Sequence, residues 1–457
     1  MQKNYASTDD CIVALATPYA ESAIAVIRAS GEHCLQHADN LFSRSEVLAS
    51  ATGHSAHVGY LLHPVSRERI DQVVCTVYRA PASYTGQDSV EVSCHGSLSV
   101  IQTCLEAFRA AGFRPAGPGE FTLRAFLAGK LGLTQAEAVA ELVRARTRTA
   151  STLALGRLSG RLEHRIEAIK QSLLHVLAGV EIQLDYPEED TGEVPHDIAS
   201  LIRARDNVAA LADTYRTGAL YQDGVLVALA GATNAGKSSL FNALLREDRS
   251  IVSDVHGTTR DYIEASIDVG GVPVKLVDTA GLREIDEQVE GEGIRRSGRI
   301  IARAAAVVYL VDATAGVSAG DTRNLAGLPS DKPVVKVWNK VDLLPADHAV
   351  PEGYIRSSVE SGEGLAEILD AIFSRISGGA AALTGDETVV DSARQHDLLR
   401  RAAESLERTI TSVHDEMPAD IVAVDLQDAV GALGEITGEV STDDVLETMF
   451  GGFCVGK

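Results

Sequence analysis

The sequence predicts a multidomain protein of the α/β plus α class, in which an α/β domain with a mostly parallel sheet is inserted into a helical domain. Three observations predict it. Short apolar runs typical of strands accompany one amphipathic helix in the first 118 residues. Apolar residues then recur every three or four positions from about 119 to 219, and helical character returns from about 388 to 450. Between 220 and 377, short apolar strands alternate with helical stretches, the pattern of a parallel sheet covered by helices.

Length and charge limit the possible classes of protein. A chain of 457 residues has room for about three domains of roughly 150 residues each. Its 64 acidic residues outnumber its 41 Lys and Arg residues, so the formal net charge is −23. This charge argues against generic, charge-driven binding of nucleic acid, which needs clustered Lys and Arg, but it leaves room for a local basic patch.

The cysteines and the apolar runs indicate the compartment. None of the six cysteines belongs to a CxxC pair, so neither a zinc site nor a disulfide framework is predicted. The N-terminal apolar stretch is short and ends at Pro18, and no run reaches the roughly 18 residues of a membrane span. We therefore expect buried, reduced thiols in a cytoplasmic protein. The cysteines are Cys11, Cys34, Cys75, Cys94, Cys104 and Cys454.

The first predicted domain, residues 1–118, is a small α/β domain. The runs IVALAT, SAIAVIRA, VVCTVYRA and SVEVSCH have the composition of strands. Ser97 to Ala111 has the spacing of an amphipathic helix that ends at Gly112.

A helical domain follows in two parts, 119–219 and 378–457, on either side of the inserted domain at 220–377. The segment DYPEEDTGEVPHD, residues 185–197, interrupts the helical pattern with Pro and Gly and is predicted to be a loop, after which helix resumes at Ile198. Insertion is favoured over four sequential domains, because the last stretch of about 70 residues is short for an independent core.

The strongest chemical signal is a phosphate-binding loop. The buried-strand run VLVALA, residues 225–230, is followed at once by GATNAGKS, residues 231–238, and then by the helix-forming SLFNALLR. Strand, loop and helix in this order form the P-loop of nucleotide-binding proteins. Gly236 allows the tight turn, Lys237 reaches the β- and γ-phosphates, and Ser238 ligates Mg²⁺.

Two further segments indicate that the nucleotide is GTP. VKLVDTAG places Asp278 at the end of a strand, where it can hold the Mg²⁺ shell, and Gly281 can offer its N–H to the γ-phosphate. In WNKVD, Asp342 can accept from the two N–H groups of guanine, whereas adenine presents a different edge, and Asn339 and Lys340 buttress the base. The sequence therefore predicts a Ras-like P-loop domain that hydrolyses GTP.

A base-closing loop and a switch segment complete the predicted site. IRSSVESGEG includes the end of the strand-like YIRS, so Ser358 and Val359 can close the base pocket. HGTTRD, residues 256–261, lies between the P-loop and DTAG, where a threonine typically moves to the Mg²⁺ when the γ-phosphate is present. Thr259 is the candidate for that ligand, and Thr258 stands beside it.

One departure from common GTPases bears on mechanism. Many GTPases carry a water-orienting Gln after the DxxG glycine, but this chain has Leu282, which cannot hydrogen-bond water. Arg283, Glu284 and Glu290 are alternatives, although an acidic loop is usually only solvated. Asn234 offers a second route, because its side-chain oxygen can hold a monovalent cation that neutralises charge in the transition state.

Beyond these motifs, the chain from about Ile12 to Lys457 resembles the MnmE (TrmE) family of bacterial tRNA-modification GTPases. The resemblance is carried by segments outside the GTPase motifs, of which the C-terminal FCVGK is the most specific. The others are ATP followed by IAVIRASG, SYTGQDSVEVSCHG, GPGEFTLRAFLAGKLGLTQAEAV and LDYPEED.

The resemblance implies a set of ligands and roles. It implies that the N-terminal domain binds formyl- or methylene-tetrahydrofolate and dimerises, and that the folate contacts are Arg28, Glu91, Lys130 and Lys457. It implies that GTPase domains pair across K⁺, that hydrolysis follows this pairing, and that the K⁺ ligands are Asn234, Ser253, Val255 and Thr258. Glu290 falls at the position of the water-orienting acid, and Cys454 is the family's C-terminal cysteine.

The resemblance also implies partners and a substrate. A homodimer would join an FAD-dependent partner of the MnmG (GidA) type in a heterotetramer. This complex would add a carboxymethylaminomethyl or aminomethyl group to carbon 5 of the wobble uridine of certain tRNAs. The competing interpretation is a regulatory GTPase of the ribosome-assembly type, but such proteins usually carry a basic appendage, and FCVGK has no role in that reading.

Together these arguments define the predicted GTP site and its metal ligands. The Mg²⁺ ligands are Ser238 and Thr259. The residues assigned to GTP are Asn234, Ala235, Gly236, Lys237, Ser238, Ser239, Ser253, Asp254, Val255, His256, Gly257, Thr258, Thr259, Asp278, Thr279, Ala280, Gly281, Asn339, Lys340, Val341, Asp342, Ser358, Val359 and Glu360.

The chain departs from the family pattern in a few loops. PYAESAIA lacks glycines that are common there, and Ala128 and Gly132 replace the more usual Asn and Asp. Thr233 replaces a frequent proline in the P-loop, and Val359 replaces an alanine. The C-terminal tail follows two glycines, so we expect the N-terminal domain of the same chain, or of its dimer mate, to hold it in place.

Overall fold

The computed structural model describes residues 9–185, 197–247, 264–278, 298–345, 347–440 and 442–456. The chain divides into two compact units. The first unit comprises Met1–Ala140, Leu158–Lys170 and Val430–Lys457, and the second comprises Glu141–Arg157 and Gln171–Ala429.

A six-stranded sheet dominates the first unit, with the strand order β3-β4-β5-β2-β1-β6. Neighbouring strands are antiparallel except for β1 and β6, which are parallel. The strands are β1 (Ile12–Leu15), β2 (Ser22–Ser30), β3 (Ser55–Leu62), β4 (Arg69–Tyr78), β5 (Ser89–Gly96) and β6 (Arg114–Pro115). The helices that accompany them are α1 (Cys34–Asp39), α2 (Val47–Ser50) and α3 (Leu98–Ala110).

The four predicted strands and the predicted helix of this region are confirmed, but β3 was not predicted. Its sequence, SAHVGYLL, is broken by His57 and Gly59 and so lacks a continuous apolar run. Gly59 has a packing reason, because a Cβ there would lie 2.4 Å from Cζ of Phe42. The prediction of buried thiols holds for every cysteine but Cys454, which is exposed.

Helices follow the first sheet, as the apolar spacing predicts. They are α4 (Glu120–Leu127), α5 (Leu133–Arg144), α6 (Arg148–Leu158), α7 (Arg161–Asp185), α8 (Ile198–Asp213) and α9 (Tyr215–Asp223). Helix α8 begins at Ile198, the residue where helix was expected to resume. Residues 186–196 of the predicted loop lie outside the described residues. Within the described ranges, no helix is long and apolar enough to cross a membrane.

The second unit contains another six-stranded sheet, with the order β12-β11-β10-β7-β9-β8. All neighbouring pairs are parallel except the β8–β9 hairpin, which confirms the predicted mostly parallel sheet. The strands are β7 (Val225–Gly231), β8 (Glu264–Val269), β9 (Val272–Asp278), β10 (Ala306–Asp312), β11 (Val334–Asn339) and β12 (Tyr354–Arg356).

Further helices complete the described chain. They are α10 (Lys237–Glu247), α11 (Ala319–Ala326), α12 (Leu365–Ile376), α13 (Ala393–His414), α14 (Ala419–Thr437) and α15 (Asp443–Gly451). Helix α8, which precedes the second sheet in sequence, packs against α13, which follows it. Arg205 of α8 also pairs with Glu407 of α13, with Nη1 and Oε2 2.7 Å apart. Helices that precede and follow the second sheet in the sequence thus pack together, which fits an α/β domain inserted into a helical one.

The turn of the β8–β9 hairpin is held by residues at the start of α6. Gly270 and Gly271 have φ values of 62° and 87°, which favour glycine. A Cβ on Gly271 would lie 2.4 Å from Oγ1 of Thr149, so glycine also allows this close approach. Thr147 Oγ1 donates to the carbonyl of Gly271 at 2.7 Å. The hairpin turn is therefore fixed to the α5–α6 connection.

Candidate functional site

The P-loop lies between β7 and α10, as predicted. Three of its residues have positive φ angles, 141° at Gly231, 66° at Asn234 and 96° at Gly236. A Cβ at Gly236 would lie 2.3 Å from Nδ2 of Asn339, so only glycine leaves that amide in place. Nδ2 of Asn339 donates to the carbonyl of Ala235 at 2.9 Å, which joins the P-loop to the end of β11.

Two side chains of the P-loop have the contacts that phosphate and Mg²⁺ chemistry needs. Lys237 is 6% exposed, and its Nζ donates to the carbonyls of Gly231 (3.1 Å) and Ala232 (2.7 Å), so the ammonium lies over the loop. Ser238 Oγ donates to Oδ2 of Asp278 at 2.6 Å. A hydroxyl and a carboxylate are hard oxygen donors of the kind that Mg²⁺ prefers, so this pair fits the ion.

Asn339 and Lys340 lie where the sequence places the guanine base. Asn339 is 2% exposed, and its Oδ1 has no hydrogen-bond partner among the described residues. Lys340 has a φ of 68°, and its Nζ lies 2.6 Å from Oδ2 of Asp312. Burial works to raise the pKa of Asp312, but hydrogen bonds from Lys340 and Thr314 outweigh it and lower that pKa. Lys340 is thus held next to Asn339 by a charged partner.

The loop after β12 packs against the loop after β11. The N–H of Ser357 donates to the carbonyl of Trp338 at 2.9 Å, and the N–H of Val341 donates to the carbonyl of Ser357 at 3.3 Å. Ser358 is fully buried, while Asp342 is exposed at the adjacent short 3-10 turn, Val341–Leu343. The structure therefore brings the two predicted base-binding segments together.

The structure adds two residues that the sequence analysis missed. Asp312 partners Lys340, and its position at the end of β10, the strand beside β11, was a signal available in the run VVYLVD. Trp338 precedes Asn339 and is 4% exposed, and its ring stacks on that of His348 with an interplanar angle of 5°. The ring of Tyr354 meets Trp338 edge-on, with centroids 5.6 Å apart.

Several predicted site residues lie outside the described residues. Among the predicted K⁺ ligands, Asn234 is described and is exposed. The other K⁺ ligands lie outside the described residues, as do the switch segment, the rest of DTAG, the candidate water-orienting residues and the terminal lysine. These residues are Ser253, Asp254, Val255, His256, Gly257, Thr258, Thr259, Thr279, Ala280, Gly281, Arg283, Glu284, Glu290 and Lys457.

A second cluster of predicted residues lies in the first unit, around Arg28. The antiparallel register of β2 and β5 places Arg28 opposite Glu91, and the guanidinium makes two contacts to Oε1 of Glu91, at 2.8 and 2.9 Å. The Arg28 guanidinium also lies 5.4 Å from the ring centroid of Tyr84 and 5.8 Å from that of Phe121. Tyr78 donates its hydroxyl to Oε2 of Glu91 at 3.4 Å.

The C-terminal tail reaches this cluster. The carbonyl of Gly456 accepts from Nη1 of Arg28 at 3.4 Å. Val455 forms a β-bridge with Pro118, and the N–H of Gly119 donates to the carbonyl of Cys454 at 3.3 Å. The tail is therefore held by the N-terminal part of the same chain, which is one of the two anchors expected from the sequence.

With both sites described, comparison with known proteins decides the family. Residues 133–454 match a family model described as the MnmE helical domain. Residues 11–130 match one described as the N-terminus of the GTP-binding protein TrmE. The chain belongs to the MnmE (TrmE) family.

Full-length relatives agree with this assignment, and each is named tRNA modification GTPase MnmE. The protein from Borrelia recurrentis is 42% identical over 458 residues, which cover 98% of each chain. That from Treponema denticola is 39% identical over 475 residues and covers all of both chains. That from Moorella thermoacetica is 39% identical over 462 residues, covering 98% of this chain and all of the relative. This member of the MnmE family is an enzyme, a GTPase.

The turn that receives the tail in this MnmE-family chain is supported by buried charges that the sequence analysis missed. Glu120 accepts from Nη2 of Arg114 (2.6 Å), from Nη2 of Arg124 (3.0 Å) and from the N–H of Gly117 (2.7 Å). Burial works to raise the pKa of Glu120, but the hydrogen bonds from Arg114 and Gly117 outweigh it, so the pKa lies below its usual value. The motif GPGEF contained the signal, since Glu120 is an acid in the first turn of α4.

Two departures from the MnmE-family pattern have packing reasons. A Cβ on Gly132 would lie 2.3 Å from Oε2 of Glu163, so the glycine leaves room for that carboxylate. Ala128 packs closely against Gly86, as shown by the distance of 3.0 Å between its Cβ and a Cβ built on that glycine. Lys130, a predicted folate contact, is exposed and donates its Nζ to the carbonyl of Pro81 at 2.7 Å, on the loop that carries Tyr84.

Proposed function

We propose that this protein is the GTP-hydrolysing component of a complex that modifies carbon 5 of the wobble uridine of certain tRNAs. The group added is carboxymethylaminomethyl or aminomethyl. The observation that carries the proposal is the C-terminal tail, whose Gly456 carbonyl accepts from Arg28 while Cys454 remains exposed. A bare regulatory GTPase has no use for a thiol-bearing C-terminal tail whose backbone is held by the arginine of an Arg–Glu pair.

The cluster around Arg28 suits a folate, either formyl- or methylene-tetrahydrofolate. Glu91 is an acceptor for the N–H edge of a pterin, and the exposed ring of Tyr84 offers a face for stacking. Arg28 supplies a planar cation that suits carbonyl or carboxylate oxygens. When bound, the folate supplies a one-carbon unit. The proposed contacts are Arg28, Glu91, Lys130 and Lys457.

Cys454 has two candidate roles in this proposal. As a thiolate it can add to a pyrimidine ring or assist transfer of a one-carbon unit. Alternatively, its backbone contact with Gly119 positions the tail next to Arg28, and the thiol takes no part in bond formation. The variant Cys454→Ser distinguishes the two roles, because tRNA modification is lost only if the thiol forms a bond.

For GTP hydrolysis, we propose that Lys237 neutralises charge on the β- and γ-phosphates. Ser238 ligates Mg²⁺ with Thr259, and Asp278 holds the shell of that ion. Asn234, Ser253, Val255 and Thr258 are the proposed ligands of a K⁺ that bridges paired GTPase domains, and Glu290 orients the attacking water. Asp342, Asn339 and Ser358 hold the guanine base.

The proposed assembly is a homodimer that binds an FAD-dependent protein of the MnmG type and acts on tRNA in the cytoplasm. We retain the proposed domain boundaries at 1–118, 119–219, 220–377 and 378–457. Thiols without disulfide partners support a reducing compartment.

The test is reconstitution with the purified full-length chain, the FAD-dependent partner, methylene-tetrahydrofolate, GTP and a substrate tRNA. Nucleosides from the product are analysed by mass spectrometry for a modified carbon 5. We expect modification that requires folate and GTP and is faster in K⁺ than in Na⁺. If a strain lacking the gene keeps its wobble modifications and instead accumulates immature ribosomes, the alternative of a ribosome-assembly GTPase is correct.

A further inference from the structure

A stretch of the chain around α6 has an unusual charge composition. Residues 142–162 contain five arginines and no Asp or Glu. Because 64 of the 457 residues are acidic, a stretch of this length would be expected to contain about three. In a protein with a net charge of −23, this stretch is a local excess of positive charge.

Three of these arginines are exposed and close together in the second unit. Arg144 is the last residue of α5, Arg146 lies in the connection, and Arg148 is the first residue of α6. Their Cα atoms lie within about 14 Å of one another, the longest reach of four residues. We call these three residues the arginine triad. Arg157 is not part of it, because it is buried and paired with both Glu141 and Asp391.

Two members of the triad carry charges that no described carboxylate neutralises. Neither Arg146 nor Arg148 pairs with a carboxylate of the described residues, and Arg146 donates instead to Oγ of Ser266 at 3.2 Å. The first turn of α6 contains no acidic residue. Arg148 therefore adds a positive charge at the positive end of the helix dipole, where an anion would be favoured. This arrangement suits a negatively charged partner.

The backbone that carries the triad is firmly held. Thr147, between Arg146 and Arg148, is 6% exposed, and its Oγ1 donates to the carbonyl of Gly271 and accepts from the N–H of Ala150. Arg146 is likewise attached to the β8–β9 hairpin through Ser266. The three cations are thus presented from a fixed connection and not from a loose loop.

We propose that the arginine triad, Arg144, Arg146 and Arg148, binds the phosphate backbone of tRNA. The inference rests on the proposed function, since it assigns a binding surface to the tRNA of that reaction. Guanidinium groups pair with phosphate oxygens in a bidentate manner, and three cations within this reach can contact neighbouring phosphates. Such contacts position a nucleic acid without reading its bases. The acidic remainder of the surface repels the same polyanion and favours this docking position.

The experiment measures binding of fluorescently labelled tRNA to the full-length protein by anisotropy, over a range of KCl concentrations. The variant Arg144→Ala/Arg146→Ala/Arg148→Ala is expected to bind at least about tenfold more weakly near 0.1 M salt. The slope of log K against log salt should become shallower by about two to three, roughly one unit for each phosphate that the variant no longer neutralises. GTP hydrolysis and the unfolding midpoint should stay at wild-type values.

As a matched control, three other arginines of the second unit are replaced by alanine, which removes the same positive charge at a different place. Arg400, Arg401 and Arg408 are exposed arginines of α13 that are paired with Glu404, Asp428 and Asp425. Their replacement by alanine should leave tRNA binding unchanged. A variant with Arg144, Arg146 and Arg148 all changed to Lys should keep most of the binding, because lysine also pairs with phosphate.

The outcomes separate this inference from the proposed function. If the wild-type protein does not bind tRNA at all, the proposed function fails. If the wild type binds and the triad alanine variant binds equally well, or if both alanine variants lose binding equally, the triad is not the binding surface. Should the triple variant fail to fold, Arg148→Ala alone must weaken binding severalfold for the inference to stand.

Discussion

The two sites of this molecule are built in different ways. At the nucleotide site, each functional segment follows a strand of one parallel sheet, and the carboxyl ends of β7, β9 and β11 bring those segments together. At the tail site, Arg28 meets the carbonyl of Gly456, a residue 428 positions away in the sequence. The first arrangement follows from local sequence and sheet topology, whereas the second requires the whole first unit to be folded.

This difference has a consequence for mutations. The P-loop side chains are held by contacts with a few residues of the same sheet, so a change there has a local effect. A change at the tail site acts on a segment whose position depends on a turn, a β-bridge and a single side-chain hydrogen bond. We therefore expect the two sites to respond independently, and the following predictions test this.

The largest effect is expected from Cys454→Ser. This change should reduce tRNA modification by about 100-fold or more if the thiolate forms a bond, because an alcohol is a far weaker nucleophile at neutral pH. GTP hydrolysis should be unchanged. The assay compares modified nucleoside and released phosphate in the same reaction. Wild-type modification would show that Cys454 only positions the tail, and a proportional loss of both activities would end the claim of independence.

The next effect is expected from Asp342→Asn in the base pocket. The affinity for GTP should fall by about 100-fold, because two guanine N–H groups lose a charged acceptor. Xanthosine triphosphate, which presents a carbonyl where guanine presents an amino group, should bind better to the variant than to the wild type. Competition binding with the two nucleotides measures both. Unchanged selectivity for guanine would remove Asp342 from the base pocket.

A smaller effect on GTP hydrolysis is expected when Na⁺ replaces K⁺, and it tests the proposed K⁺ site apart from the other nucleotide contacts. Hydrolysis should be about tenfold faster in KCl than in NaCl, because Na⁺ is smaller and fits the same ligands poorly. Asn234→Ala should abolish this difference while binding of GDP and GTP stays nearly intact, since Asn234 is exposed. Equal rates of the wild type in the two salts would show that the cation has no part in hydrolysis.

The smallest effect concerns the turn beneath the tail. Gly119 has a φ of 63°, and a Cβ there would lie 2.8 Å from the carbonyl oxygen of Phe450 and 3.0 Å from Cβ of Phe453. Gly119→Ala should therefore destabilise the tail by about 1–3 kcal/mol and speed removal of the C-terminal residues by a carboxypeptidase, followed by mass spectrometry. The hydrolysis of GTP should not change.

A second glycine supplies the control for that variant. Gly129 has nearly the same φ, 66°, but a Cβ there would meet nothing within 4 Å. Gly129→Ala has the same backbone strain without the clash, so it should leave the rate of carboxypeptidase digestion of the tail unchanged. Equal acceleration of digestion in both variants would mean that backbone strain, and not the clash with Phe450 and Phe453, releases the tail.

Much of the fold and of the nucleotide site could be predicted from the sequence. The P-loop, the strand ends at Asp278 and Asn339, and the resumption of helix at Ile198 all depend on local patterns of apolar residues and glycine. Strand β3 could not be predicted, because its Gly59 is explained only by the ring of Phe42, which is distant in sequence.

The tail site was predictable only in part, for a physical reason. Arg28 and Glu91 were named through family resemblance, but their pairing follows from the register of β2 and β5, which no local pattern encodes. The cluster of Asp10, Arg114, Glu120 and Arg124 depends on contacts between residues up to 114 positions apart. Glu163, whose carboxylate fills the space left by Gly132, is likewise visible only in the folded unit.

The position of Trp338 allows tryptophan fluorescence to report on the nucleotide side of the molecule separately from the tail site. It is the only tryptophan of the chain, and it is buried between His348 and Tyr354 one residue before Asn339. Emission excited near 295 nm, roughly the wavelength that selects indole over phenol, therefore comes from the core at the end of β11, beside the proposed base site. We expect this emission to respond to a guanine nucleotide bound at the proposed site, whereas events at the tail contribute no tryptophan emission of their own.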